Sequence, residues 1–305
     1  MPLPLVNAIE VSDLKKYFGD VKAVNGISFT VGQGQLFAFL GPNGAGKSTT
    51  IDMLCSFLKP DSGEVTILGN SLGIDDDKIR NEIGIVFQTG TLDNRLTIKE
   101  NLKFRGSLYD HESIENRMNI AMDIVGISDI ADRRYGKLSG GQKRRADIAR
   151  ALIHTPKILF LDEPTTGLDP QTRRNVWDMI LDLKNNGGVT IFLTTHYMEE
   201  AAGADYVVVM DKGRIAAKGT PTDLKERYSS DTVRIVPKDI DIFMDILDED
   251  GIPYLIEGGV MVISIDHTLD SIPIIDRYKD HISNIQVLNG TLDDAFVRII
   301  EGGLE

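Results

Sequence analysis

Residues 36–49 read LFAFLGPNGAGKST, five apolar residues followed by a glycine-rich turn that closes on Lys47, Ser48 and Thr49. Gly41, Gly46, Lys47 and Ser48 fall at the spacing G-x-x-x-x-G-K-[ST] directly after the apolar run. Glycines at these positions let backbone N–H groups close around phosphate oxygens, and a helix starting at the turn points its positive end at the same anion. Lys47 adds a point charge for the β- and γ-phosphates, and the Ser48 hydroxyl is a Mg²⁺ ligand type. The stretch Gly41, Pro42, Asn43, Gly44, Ala45, Gly46, Lys47, Ser48 and Thr49 therefore implies a nucleoside triphosphate site on an α/β fold.

At 305 residues the chain accommodates one large domain and a small one, and its 42% hydrophobic and 26% charged composition is that of an ordinary globular protein. The longest apolar runs, such as residues 207–210 and 260–265, are strand-sized, so no bilayer span is expected. The opening MPLPLVNAIE has no basic segment and no long apolar core, which argues against a signal peptide. One cysteine, Cys55, rules out an internal disulfide; its helical setting suits a buried small hydrophobe. A net charge of −13 disfavours nucleic acid as a partner. The clusters Asp75-Asp76-Asp77 and Asp248-Glu249-Asp250 read as solvated loops.

Strands are expected near Ile9 and Val11, at residues 27–31, 36–40, 65–68, 83–87, 157–161, 189–193 and 206–210. Helical spacing after the phosphate turn (Ile51, Leu54, Leu58) and between residues 92 and 137 indicates a βαβ core with a helical insertion, the helical subdomain spanning about 92–150. The composition shifts after Tyr228, which sets the expected domains at 1–228 and 229–305. The second part reads strand, helix, strand, Gly258-Gly259 turn, strand, helix, strand, a ferredoxin-like β-α-β-β-α-β unit. A last helix begins at Thr291 with Asp294 completing a capping box.

Two further segments carry chemistry. In ILFLDEP, residues 158–164, an apolar strand ends in adjacent carboxylates. Asp162 suits Mg²⁺, and Glu163 suits orientation or deprotonation of an attacking water. In LSGGQKRR, residues 138–145, Ser139, Gly140, Gly141 and Gln142 open a helix, a second anion-binding start. One nucleotide does not need two cradles in one chain, so this segment is expected to complete the site of a second copy, head to tail. Read alone, Ser-Gly-Gly is also an ordinary helix cap, and Lys143, Arg144 and Arg145 read as the basic face of a solvated helix.

In this motif order residues 7–225 resemble the nucleotide-binding subunits of ATP-binding cassette (ABC) transporters. The resemblance implies a P-loop NTPase fold of ABC type, a mixed sheet with a helical subdomain, and ATP and Mg²⁺ as cofactors. It implies that Gln88 senses the metal and the water and links to a membrane partner, making Ser48, Gln88 and Asp162 the metal set. By the same resemblance Asp169 in GLDP belongs to the loop crossing a dimer interface, and His196 is the switch histidine at the γ-phosphate. Phe18, with Tyr17 as a substitute, is the implied adenine-stacking ring; many members carry tyrosine there, so Phe18 is a departure. Glu163, His196, Lys47 and Gln88 are then the implied catalytic set.

THYMEEA (residues 195–201) and TLDDAFVRI (residues 291–299) are similar to the ABC-2 exporter group that includes antibiotic-resistance ATPases. That likeness implies a homodimer peripheral on the cytoplasmic membrane face, driving a separate integral membrane permease. The rival is a soluble ABC ATPase such as an iron–sulfur assembly factor. Translation-type double cassettes and repair-type coiled-coil insertions do not fit this length and pattern, and a small-molecule sensing role rests on the C-terminal part alone.

Overall fold

The computed structural model describes residues 7–109 and 113–302; the first six positions of the N-terminal segment read above lie outside them. The chain divides into two compact units between Lys218 and Gly219. In the first, strands β1 (Asn7–Phe18) and β2 (Val21–Gly32) precede β3 (Leu36–Leu40) and helix α1 (Lys47–Leu54). Then come β4 (Ser62–Ile67), β5 (Asn70–Ser71), α2 (Asp76–Glu82), β6 (Ile83–Val86), α3 (Ile98–Gly106), α4 (Ile114–Ile124) and α5 (Gly140–Leu152). β7 (Ile158–Asp162), α6 (Pro170–Gly187), β8 (Thr190–Thr195), α7 (Met198–Ala202), β9 (Tyr206–Asp211) and β10 (Arg214–Gly219) follow.

Six strands form one sheet in the order β10-β9-β3-β8-β7-β6, and a second sheet runs β2-β1-β4-β5. All five residues of β3 are fully buried, as a parallel strand covered on both faces requires. Parallel register matches Leu40 with Thr195 and Asp162 with Thr194, so β3, β7 and β8 end at the same sheet edge. Phe192 holds these strands together, its ring 5.1 Å from Phe37 and 5.3 Å from Phe160. Whatever leaves that edge is thereby fixed in space, and what leaves it is the phosphate turn, Glu163 and His196.

The second unit contains α8 (Pro221–Tyr228), β11 (Asp231–Pro237), α9 (Ile240–Glu249), β12 (Leu255–Glu257), β13 (Val260–Ile265), α10 (Ser271–Tyr278), β14 (Ile282–Leu288) and α11 (Leu292–Glu301). Its sheet runs β12-β13-β11-β14 with each neighbouring pair antiparallel, the arrangement expected of a β-α-β-β-α-β unit. Val233, Ile235, Phe243, Leu247, Met261, Ile263 and Tyr278 form its core. The capping box is present, with the Asp294 N–H donating to Thr291 Oγ1 at 3.1 Å and the Thr291 N–H to Asp294 Oδ2 at 2.8 Å.

Three expectations need correction. The division expected after residue 228 falls ten residues earlier, because α8 pairs with α11 and buries Leu224 within the second unit. The acidic clusters are helix ends rather than loops: Asp76 and Asp77 occupy the first turn of α2, where carboxylates oppose the positive helix end. Asp248 and Glu249 close α9, and Asp250 accepts hydrogen bonds from Arg277 and, at 2.5 Å, from the Tyr278 hydroxyl. Last, Arg144 is 7% exposed, so it does not belong to a solvated basic face.

Candidate functional site

Gly46 takes φ +106° at the start of α1, a backbone state that side chains disfavour. A Cβ there would lie 2.2 Å from the Ala23 carbonyl oxygen, and one at Gly41 would lie 2.4 Å from the Met210 carbonyl oxygen. The turn is thus pressed against β2 and β9, which is why these positions need glycine. No acidic residue sits in the first turn of α1, so its positive end faces the turn unopposed. Asn43, Gly44, Gly46, Lys47, Ser48 and Thr49 line a cleft of about 740 Å³ together with Gln88 and Glu163. That volume is in the range of a nucleotide-sized ligand site.

The Lys47 ammonium donates to the carbonyls of Gly41 (2.7 Å) and Pro42 (3.1 Å), and the residue is 6% exposed. Burial pulls it below the usual lysine range, and the nearby carboxylates of Glu163 and Asp162 act against that pull. A buried ammonium hydrogen-bonded to two carbonyls beside a glycine-rich turn suits anionic oxygens.

Glu163 follows β7 with φ +44°, a left-handed conformation costly for a residue with a Cβ. Its N–H donates to the Thr194 carbonyl and to Thr194 Oγ1, both at 3.1 Å. The bend turns its carboxylate across the sheet edge, where Oε2 accepts from Gln88 Nε2 at 3.1 Å and from Thr166 Oγ1 at 3.0 Å. His196 Nδ1 lies 3.5 Å from the same oxygen. The His196 ring packs on Tyr197 at 4.2 Å, and the Arg173 guanidinium stacks on Tyr197 at 3.8 Å. Asp162 Oδ1 accepts from the Thr194 hydroxyl at 2.5 Å. Gln88, Glu163, Lys47 and Ser48 therefore share one cleft, and Asp162 and His196 join it through Thr194 and Glu163.

The residues present fit a magnesium ion. Ser48, Gln88 and Asp162 offer hydroxyl, amide and carboxylate oxygens, the hard donors Mg²⁺ prefers. Burial, with the Asp162 charge beside it, pushes the Asp52 carboxyl up. Among the described residues no group of three or more His, Cys, Asp or Glu converges on a metal position.

Other implied residues lie apart from this cleft. Ser139 caps α5 in a capping box with Gln142, its Oγ accepting from the Gln142 N–H at 3.3 Å. Ser139 and Gly140 face solvent, and a Cβ on Gly141 would lie 2.3 Å from Thr172 Cγ2. Asp169 is exposed and caps α6, accepting from the Thr172 N–H at 3.0 Å; the Thr172 side chain first, and this N–H after it, hold its carboxyl below the usual range. Phe18, 51% exposed at the end of β1, does not line the cleft, and Lys16 Nζ lies 5.7 Å from its ring centre. The Tyr17 hydroxyl is hydrogen-bonded to the Asn25 amide at 2.9 Å.

Sequence reading missed Thr194 and Arg144. A threonine in the apolar-looking strand β8 gives no signal, although its Oγ1 bridges Asp162 and the Glu163 N–H. Arg144 was hidden in a basic run, yet its helical phase, five residues after the cap, turns it into the core.

A phosphate turn facing a glutamate and a glutamine across the ends of parallel strands is an arrangement suited to a nucleoside triphosphate. A family model described as ABC transporter matches residues 24–166. The daunorubicin/doxorubicin resistance ATP-binding protein of Streptomyces peucetius is 42% identical over 231 residues, covering 75% of this chain and 70% of that one. The Nod factor export ATP-binding protein I of Burkholderia lata is 35% identical over 300 residues, covering 96% of this chain and 97% of that one. Among solved structures, an ATP-binding cassette of an ABC transporter in its ADP conformation superposes with TM-score 0.66 at 29% identity, covering 72% of this chain and 92% of that one. A dimeric bacterial ABC transporter cassette gives TM-score 0.63 at 27% identity, covering 70% and 98%. The chain belongs to the ABC transporter ATP-binding proteins, a family that hydrolyses ATP to drive transport.

Proposed function

We propose that this chain is the ATP-hydrolysing subunit of an ABC-2 type exporter, acting as a head-to-tail homodimer on a separate membrane permease. The likeness that carries the reading is the one to the Nod factor export ATP-binding protein, which runs through both units of the chain. No helix among the described residues is long and apolar enough to cross a membrane, so a membrane-spanning path needs another polypeptide or region. An apolar cleft supports such a partner: Phe57, Phe104 and Leu108 are 56%, 69% and 61% exposed around Phe87, the neighbour of Gln88. The chain then sits peripherally at the cytoplasmic face, and residues 219–305 are an accessory unit.

In this reading Lys47 and the N–H groups of residues 43–49 hold the β- and γ-phosphates. Ser48, Asp162 and Gln88 would hold Mg²⁺, which when bound neutralises phosphate charge. Ser139 and Gly141 of a second protomer complete the site, with Asp169 beside the shared surface. Glu163, steadied by Gln88 and flanked by His196, orients a water for in-line attack on the γ-phosphorus. A water–phosphorus bond forms as the bond to the ADP oxygen breaks, and Glu163 accepts the water's proton. Affinity capture of the full chain from native membranes tests the partnership. The exporter reading expects a stoichiometric integral membrane protein, whereas only soluble iron–sulfur assembly proteins in the capture would transfer support to the rival.

A further inference from the structure

Arg144 lies one turn beyond the Ser139 cap of α5 and is almost wholly buried. Its guanidinium reaches three main-chain oxygens at once. Nη1 donates to the Phe87 carbonyl at 2.5 Å, Nη2 to the Asp162 carbonyl at 2.9 Å and Nε to the Pro164 carbonyl at 2.5 Å. Phe87 immediately precedes Gln88, and Asp162 and Pro164 bracket Glu163. The planar fork therefore fastens the backbone on both sides of the 3.1 Å contact between Gln88 and Glu163. All three carbonyls lie at or just beyond the ends of β6 and β7, where sheet pairing stops.

The same clamp bears on Glu163's conformation. Its left-handed φ of 44° persists only if the neighbours over-determine it. Thr194 holds its N–H from β8, and Arg144 holds the carbonyls before and after it. Burial pulls the Arg144 guanidinium below its usual range; Asp147, Asp162, the Tyr135 hydroxyl and Glu200 are the titratable groups whose fields act against that pull. Burying a guanidinium this way is costly, so an ordinary helix–sheet contact would be better served by an apolar side chain.

We propose that Arg144 is a positioning residue for hydrolysis, setting the Gln88–Glu163 geometry and tying it to the helix that begins at Ser139. The inference rests on Glu163 being the residue that orients the water. Lysine cannot span three carbonyls in a plane, so Arg144→Lys in the full chain keeps charge and length but loses the clamp. The expected result is nucleotide affinity within about twofold of wild type and kcat lower by on the order of 10²-fold, the scale of a roughly 1 Å misplacement. In the Glu163→Gln background the same change should alter residual turnover by less than about threefold, because the group being positioned is already gone.

Wild-type kcat for Arg144→Lys would overturn the proposal, as would an undiminished loss on the Glu163→Gln background. A loss that merely follows a drop in melting temperature and in nucleotide affinity would also overturn it, by showing a structural role. If the lysine variant does not fold, Arg144→Gln is read by the same criteria. Full turnover in Glu163→Gln alone would instead refute the reading of the site, which keeps the two failures distinct.

Discussion

Replacing Gly46 by alanine separates backbone geometry from every other contribution to nucleotide binding. The new Cβ would sit 2.2 Å from the Ala23 carbonyl oxygen, whereas ordinary contact begins at 3.4 Å, so turn and strand must part by about the difference. Alanine at φ +106° adds strain of about 1–3 kcal/mol, and overpacking against backbone adds about 1–3 kcal/mol. The sum is about 2–6 kcal/mol, and it can be expressed in two ways. If the turn stays in place, the folded state carries the strain and the melting temperature falls by roughly 2–4 °C per kcal/mol. If the turn moves, the N–H cradle is misplaced and affinity falls, about 150-fold for 3 kcal/mol. Denaturant unfolding and a fluorescent-nucleotide titration on the same preparation measure both parts. Gly19→Ala is the control: its φ of +58° imposes strain, but nothing lies within 4 Å, so it should cost about 1 kcal/mol of stability and leave affinity unchanged. A combined loss below about 1 kcal/mol for Gly46→Ala would refute the argument that close approach dictates glycine there.

Thr194→Val removes the hydroxyl that bridges Asp162 and the Glu163 N–H, and should cost about 1–3 kcal/mol in chemical denaturation while turnover falls more than nucleotide affinity. Glu200 is 2% exposed and burial raises its carboxyl above the usual range, so wild-type stability should decline as pH rises from the unfolded value through the raised folded one. Glu200→Gln lacks that slope: it should be the more stable protein at pH 7 and lose its advantage below about pH 4, read from melting curves across pH. Phe243→Ala opens a fully buried position in the second unit and should cost about 3–5 kcal/mol there, with nucleotide titration unchanged because the cleft lies wholly in the first unit.

What could be read from the chain follows from where local rules govern. The phosphate turn, the carboxylate pair at the end of β7, the helix start at Ser139 and the capping box at Thr291 are contiguous patterns whose geometry is set within a few residues, and the structure has each of them. Helix ends rich in aspartate are hard to tell from loops, since a carboxylate in a first helical turn, as in α2, or one closing a helix, as in α9, looks in sequence like one on a solvated turn. Arg144 and Thr194 were illegible for another reason. Their partners lie 18–57 and 31–32 residues away, so their roles exist only once β6, β7 and β8 stand side by side. The boundary at residue 218 rather than 228 likewise depends on α8 meeting α11, a pairing between distant segments.

The claim on which the functional account rests is that each hydrolytic centre is shared by two copies of this chain. Sedimentation equilibrium of Glu163→Gln with saturating Mg·ATP tests it most directly. The account predicts a dimer that reverts to monomer when nucleotide is removed and that fails to form when Ser139→Arg is added. A monomer under saturating Mg·ATP, or a dimer indifferent to Ser139→Arg, would contradict it.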